Sequence, residues 1–87
     1  MKRQANNKSV FIEKTLIKIF SLIFKIKDKK KIINMKKNNF KNWDSLNHIK
    51  LMVCIENEFN IKFGAKKFNE VDSFKKILYF LGRKQKI

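Results

Sequence analysis

No proline occurs anywhere in this chain of 87 residues, and glycine occurs only at Gly64 and Gly82. Tight turns between short strands draw on both residue types, because proline presets φ and glycine supplies positive φ. A sandwich or barrel needs many such turns, so their scarcity directs the chain toward helices. The length leaves room for one small domain. Hydrophobic residues make up 44% of it, enough to exclude wholesale disorder. A single cysteine, Cys54, excludes an internal disulfide framework and makes a reducing cytoplasm the expected location. One cysteine and one histidine also fall short of a zinc site of the usual kind.

Apolar spacing divides the chain. Ile12, Leu16, Ile19, Phe20, Ile23 and Phe24 recur with a period near 3.6 and predict a helix over 10–25, with Ser9 as its cap. Phe11, Ile17 and Leu22 lie off that face. The stretch from Val10 to Ile26 is interrupted by Glu13, Lys14, Lys18 and Lys25 and has no small-residue cleavage site, so neither a signal peptide nor a membrane span is expected. Residues 26–43 are rich in Lys and Asn and predict a long connection, pinned by Ile32, Ile33, Met35 and Phe40. Asp44 stands where a cap belongs, ahead of a helix over 45–59 whose core row is Leu51, Ile55 and Phe59 with Met52. Residues 60–64 break the pattern, and 65–70 predict a short helix or turn. Ser73 caps a last helix over 74–81, with Phe74, Ile77, Leu78 and Leu81 inward and Lys75 and Lys76 outward. Gly82 suits its C-cap, followed by Arg83, Lys84 and Lys86. The expectation is an all-α four-helix bundle with a long first connection and a short third helix. The folded domain is expected over 10–82, between a disordered basic tail over 1–9 and a basic tail over 83–87.

The formal net charge is +15. Such a value suggests a polyanion partner, and a small basic helical nucleic-acid-binding domain is the alternative function it raises. Composition weakens that inference. Phe, Tyr, Met, Ile, Asn and Lys, all with AT-rich codons, supply 55 of the 87 residues, so lysine is favoured everywhere. Arginine, the preferred reader of base edges, occurs only at Arg3 and Arg83. The charge is also uneven, since residues 44–72 hold four basic and five acidic residues. A membrane-surface role, with the greasy first helix flanked by lysines, is a third possibility.

The most informative place is Trp43-Asp44-Ser45-Leu46, where the long connection meets the second predicted helix. Taken with Ile55-Glu56-Asn57-Glu58-Phe59-Asn60-Ile61-Lys62-Phe63 and Val71-Asp72-Ser73-Phe74, it resembles the acyl carrier protein family. That family has an Asp-Ser-Leu motif opening a helix, an acidic stretch ending in Phe, and a Ser/Thr step into the last helix. The resemblance reaches back through Ile12, Leu16, Ile19, Phe20 and Ile26, and covers roughly residues 10–82. It implies a discrete carrier without enzymatic activity of its own. Ser45 is the implied attachment point for 4′-phosphopantetheine, taken from coenzyme A, whose thiol carries acyl or aminoacyl groups as thioesters. It implies that Asp44 helps the modifying enzyme hold its metal. A helix start favours the phosphodiester charge. The implied partners are a phosphopantetheinyl transferase, an acyl-loading ligase or transferase and a downstream synthase, with the carrier acting as a monomer.

Projected around a helix, Leu46, Ile49, Lys50, Val53, Glu56 and Asn57 cluster opposite the core row and close to Ser45. They are the candidate partner-binding face. Family members usually carry acidic residues there. Lys50 and Asn57 stand at positions commonly acidic, so the electrostatic match to partners is altered. Trp43 resembles the residue of discrete carriers of specialised pathways, and equally suits an anchor pinning the connection to the bundle. His48, without a carboxylate beside it in sequence, is expected to be structural or at the surface. Cys54 is expected to be half-buried and unreactive, and the runs Lys29-Lys30-Lys31 and Lys36-Lys37 to be solvated.

Overall fold

The computed structural model describes residues 3–84, and the side chains of 10–83. Among the described residues the chain is mostly helical, with five α-helices, one 3-10 turn and no strand. They are α1 (Arg3–Phe24), α2 (Lys29–Ile33), α3 (Ser45–Phe59), α4 (Ala65–Glu70) and α5 (Phe74–Lys84), with the 3-10 turn over Lys37–Asn39. None of these helices is long and apolar enough to cross a membrane.

Helix α1 is the beam on which the others rest, packing against α3, α5 and α2. Its expected row is buried at Ile12, Leu16, Ile19, Phe20 and Phe24. The row meets Leu51, Met52, Ile55 and Phe59 of α3 and Phe74, Ile77 and Leu81 of α5 in one continuous core. Each large apolar side chain so buried contributes roughly 1.5–3 kcal/mol before conformational entropy is charged against it. The helix begins at Arg3, well ahead of the expected cap at Ser9, so the backbone of 3–9 is helical. Neither glycine nor proline lies before Ser9, and Gln4 and Ala5 are good helix formers, so nothing local stops it. Met1, Lys2 and residues 85–87 lie outside the described residues. Lys25 closes α1 in the left-handed region, at φ 56°.

The expected long connection is not a bare loop. Asp28 caps α2, its Oδ1 accepting from Lys31 N at 3.3 Å. Ile32 and Met35 are buried and fasten the segment to the core. Five helical residues are too few to show a periodic pattern in sequence. Beyond them the backbone crosses to the start of α5. Lys37 N donates to Asp72 O at 2.8 Å and Phe74 N donates to Met35 O at 3.0 Å, around an isolated antiparallel bridge between Lys36 and Ser73.

The second half follows expectation closely. Helices α3 and α4 span the predicted residues, and α5 begins at Phe74 after Ser73, whose Oγ accepts from Lys76 N at 3.1 Å. Asn60 ends α3 in the left-handed region, at φ 55°. Gly64 precedes α4 at φ 83°, where a side chain would be strained. Gly82 does not end α5, which continues to Lys84. A glycine inside a helix costs only about 1 kcal/mol, too little to break a turn anchored by the buried Leu81.

Candidate functional site

The start of α3 is held by three separate devices. Asp44 Oδ1 accepts from Asn47 N at 2.9 Å, the cap expected of it, and so satisfies one of the orphan amides of the first turn. Asn47 Nδ2 reaches back to Asn42 O at 2.8 Å, tying the first turn to the approaching chain. The third device joins Trp43, His48 and Phe68. Trp43 Nε1 donates to His48 Nδ1 at 2.9 Å, and His48 Nε2 lies 2.8 Å from Phe68 O. Because Nδ1 accepts, the ring carries its proton on Nε2, which donates to the carbonyl. The relay runs from the end of the connection through α3 into α4.

Both rings of this relay are buried, Trp43 at 2% exposure and His48 at 5%. Trp43 packs edge-on to Phe20 at 5.4 Å and tilted on Phe24 at 5.6 Å. Phe24 in turn meets Phe40 edge-on at 5.6 Å. Trp43 is therefore the anchor that pins the connection to α1. His48 is structural, as expected, and has its ring edge-on to Phe68 at 5.3 Å. The relay was invisible in the sequence, because Phe68 lies twenty residues beyond His48. Only a lone Trp and a lone His placed five apart hinted at it.

On this platform Ser45 is exposed as the first residue of α3, with the exposed Asp44 before it. Leu46, Ile49 and Val53 form an exposed apolar stripe running away from it, Leu46 at 62% exposure. Lys50 and Asn57 are exposed along the same side. The core row predicted for this helix is buried, so the two faces separate as the periodicity required. Cys54, expected to be half-buried, is exposed instead, because the core row takes Leu51, Met52, Ile55 and Phe59 and leaves it outside.

Glu56 departs from the rest of the candidate face. Its side chain is largely buried, and Oε2 accepts from Phe63 N at 3.0 Å while Oε1 lies 3.9 Å from Lys62 Nζ. Its backbone carbonyl accepts from Asn60 N and Ile61 N. The carboxylate is thus a strut across the α3–α4 junction, where it accepts from an amide left without a helical carbonyl partner by the break. The stripe beside Ser45 carries Lys50 as its charge.

The chemistry this arrangement allows is narrow. Ser45 is an exposed residue, and the one nearby histidine has both ring nitrogens engaged in the relay. A self-activated nucleophile needs a base in hydrogen-bond reach. No family model, no curated protein and no solved structure matches this chain.

Proposed function

We propose that the protein is an acyl carrier, holding acyl or aminoacyl groups as thioesters on a 4′-phosphopantetheine arm attached to Ser45. The observation that carries this reading is the setting of Ser45. Ser45 is exposed at the first position of a capped helix, on a buried Trp–His platform, beside an exposed apolar stripe. The residues fit the group. The first turn of α3 presents amides and the positive end of a helix dipole to the phosphodiester. Leu46 and Ile49 offer apolar surface next to it.

In the modification, Ser45 Oγ bonds to the phosphorus adjoining the pantetheine, and the pyrophosphate P–O bond of coenzyme A breaks. Adenosine 3′,5′-bisphosphate leaves, and the serine proton passes to a base on the transferase. Asp44, exposed beside the hydroxyl, helps hold the transferase's metal ion while its Oδ1 keeps the helix start in place. Once attached, the arm supplies the thiol that bears the acyl group. The chain itself contributes position, and the chemistry belongs to the transferase, the loading ligase or transferase, and the synthase. In this reading the carrier works as a monomer in the cytoplasm, where coenzyme A is at hand. Leu46, Ile49, Val53, Lys50 and Asn57 meet its partners.

The deciding measurement is the intact mass of the chain after incubation with coenzyme A and a broad-specificity phosphopantetheinyl transferase. The expected result is a gain of one phosphopantetheinyl group, absent from Ser45→Ala. No gain on the natural chain, or a gain that survives Ser45→Ala, overturns the proposal.

A further inference from the structure

Helix α1 commits one side to the core, and its opposite side carries an unusual combination. Phe11 is 60% exposed and Leu22 71%. Eleven residues are close to three whole turns, so the two lie on one line, about 16 Å apart. Lys14, Lys18 and Lys25 are exposed along the same side. The one acidic residue in this part of the helix, Glu13, belongs to a different side and is half-buried. Past the end of α1, Lys27, Lys29, Lys30 and Lys31 are exposed too, and the Asp28 carboxylate among them is occupied as a helix cap.

A second cationic place among the described residues carries carboxylates of its own. The open groove of about 1130 Å³ between α4 and α5 is lined by Lys67, Lys75, Lys76 and Arg83, with Glu70 and Asp72 among them. Lys67 meets Glu70 and Lys76 meets Asp72, both at 3.1 Å. Among the described residues no carboxylate is paired with Lys14, Lys18 or Lys25.

We propose that this face of α1 docks the protein on an anionic phospholipid bilayer. The fit is one of charge and of shape. Lysine heads reach the headgroup phosphates while their alkyl stems lie against the interface. Phe11 and Leu22, at either end of the lysine row, enter the acyl boundary, as the apolar residues of interfacial helices do. The face points away from the row that packs on α3 and α5, so docking leaves the core intact. A nucleic acid accounts for the lysines only, since a phosphate backbone gives Phe11 and Leu22 nothing to enter. The inference stands apart from the reading of Ser45 and does not need the serine to be modified.

The test is co-sedimentation of the full chain with vesicles of phosphatidylcholine alone, or with about one third phosphatidylglycerol, at low and at high salt. Binding to the anionic vesicles and not to the neutral ones is expected, weakening as salt rises. Lys14→Glu with Lys18→Glu, and separately Phe11→Ser with Leu22→Ser, each reduce partitioning by more than about tenfold. Lys62→Glu with Lys66→Glu removes the same charge elsewhere and reduces it far less. Circular dichroism checks that each variant is folded, which exposed positions make the expected result. Three outcomes overturn the proposal. They are no binding to anionic vesicles at low salt, an equal loss in the Lys62/Lys66 control, and binding indifferent to Phe11→Ser with Leu22→Ser. The last describes a diffuse polyelectrolyte effect, and a duplex DNA then competes as well as the vesicles do.

Discussion

Helices α1 and α3 both bury a full apolar row, and both leave large apolar side chains in solvent. On α1 these are Val10, Phe11 and Leu22, and on α3 they are Leu46, Ile49 and Val53. The two exposed faces nevertheless differ in kind. That of α3 begins at a helix start fixed by a cap, an amide tie and a buried Trp–His–carbonyl relay. That of α1 has lysines spaced along it and nothing built around it. Exposed apolar area by itself says only that a surface is sticky. The supporting structure beneath it separates a place where geometry matters from one where charge and depth suffice.

The comparison breaks most readily at Trp43. Trp43→Ala removes the anchor between α1 and α3 and leaves His48 Nδ1 without its donor. It is expected to destabilise by about 3–5 kcal/mol, read from urea unfolding. The same substitution should slow transfer onto Ser45, because the platform under the serine loosens. An unfolding midpoint close to that of the natural chain would mean that the relay is incidental.

A sharper cut is His48→Phe, which keeps a ring of similar size and deletes both hydrogen bonds. The Trp43 N–H and the Phe68 carbonyl then lose their partner, at an expected cost of about 2–3 kcal/mol. Thermal unfolding of this variant beside Trp43→Phe tests whether packing or hydrogen bonding dominates. If both lose equally, the polar relay acts as one unit.

At the cap, Asp44→Ala should cost about 1 kcal/mol, the usual value for losing a side-chain acceptor at a helix start. Asp44→Asn should recover most of that stability, since it too accepts from Asn47 N. If phosphopantetheine transfer falls with both substitutions while stability falls with one, Asp44 serves the transferase as well as the helix.

The smallest effect belongs to the outer face of α1. Lys14→Gln with Lys18→Gln should shift folding stability by no more than about 0.5 kcal/mol, measured by the same unfolding titration. A larger loss would mean that these lysines are part of the fold, and the contrast between the two helices would fail.

Much of this architecture was legible beforehand, and the reason is visible in particular residues. Leu51, Ile55 and Phe59 keep helical spacing over the whole of α3, with Asp44 before them and Asn60 after, so both ends and the buried side followed from local chemistry. The same holds for Ser73 and the start of α5. The stripe of Leu46, Ile49 and Val53 was legible as the side left over. Helix α2 was not, because its five residues show no period and its stability comes from burying Ile32 and Met35 against other elements. Glu56 misled for a related reason. Its place on the helix projected it toward partners, and a backbone amide seven residues on drew it inward.

The sequence by itself determined the helical class, the limits of α3 and α4, and the separation of core face from free face. Those are properties of spacing and of caps, which act within a few residues. Only the tertiary structure decided that Trp43 and His48 share a proton-ordered relay with Phe68. It alone decided that residues 35–37 run beside residues 72–74, and that Glu56 is a strut. These contacts join residues far apart in the chain. Such pairings arise when buried polar groups seek partners in a packed interior, and no local pattern records which partner they will find.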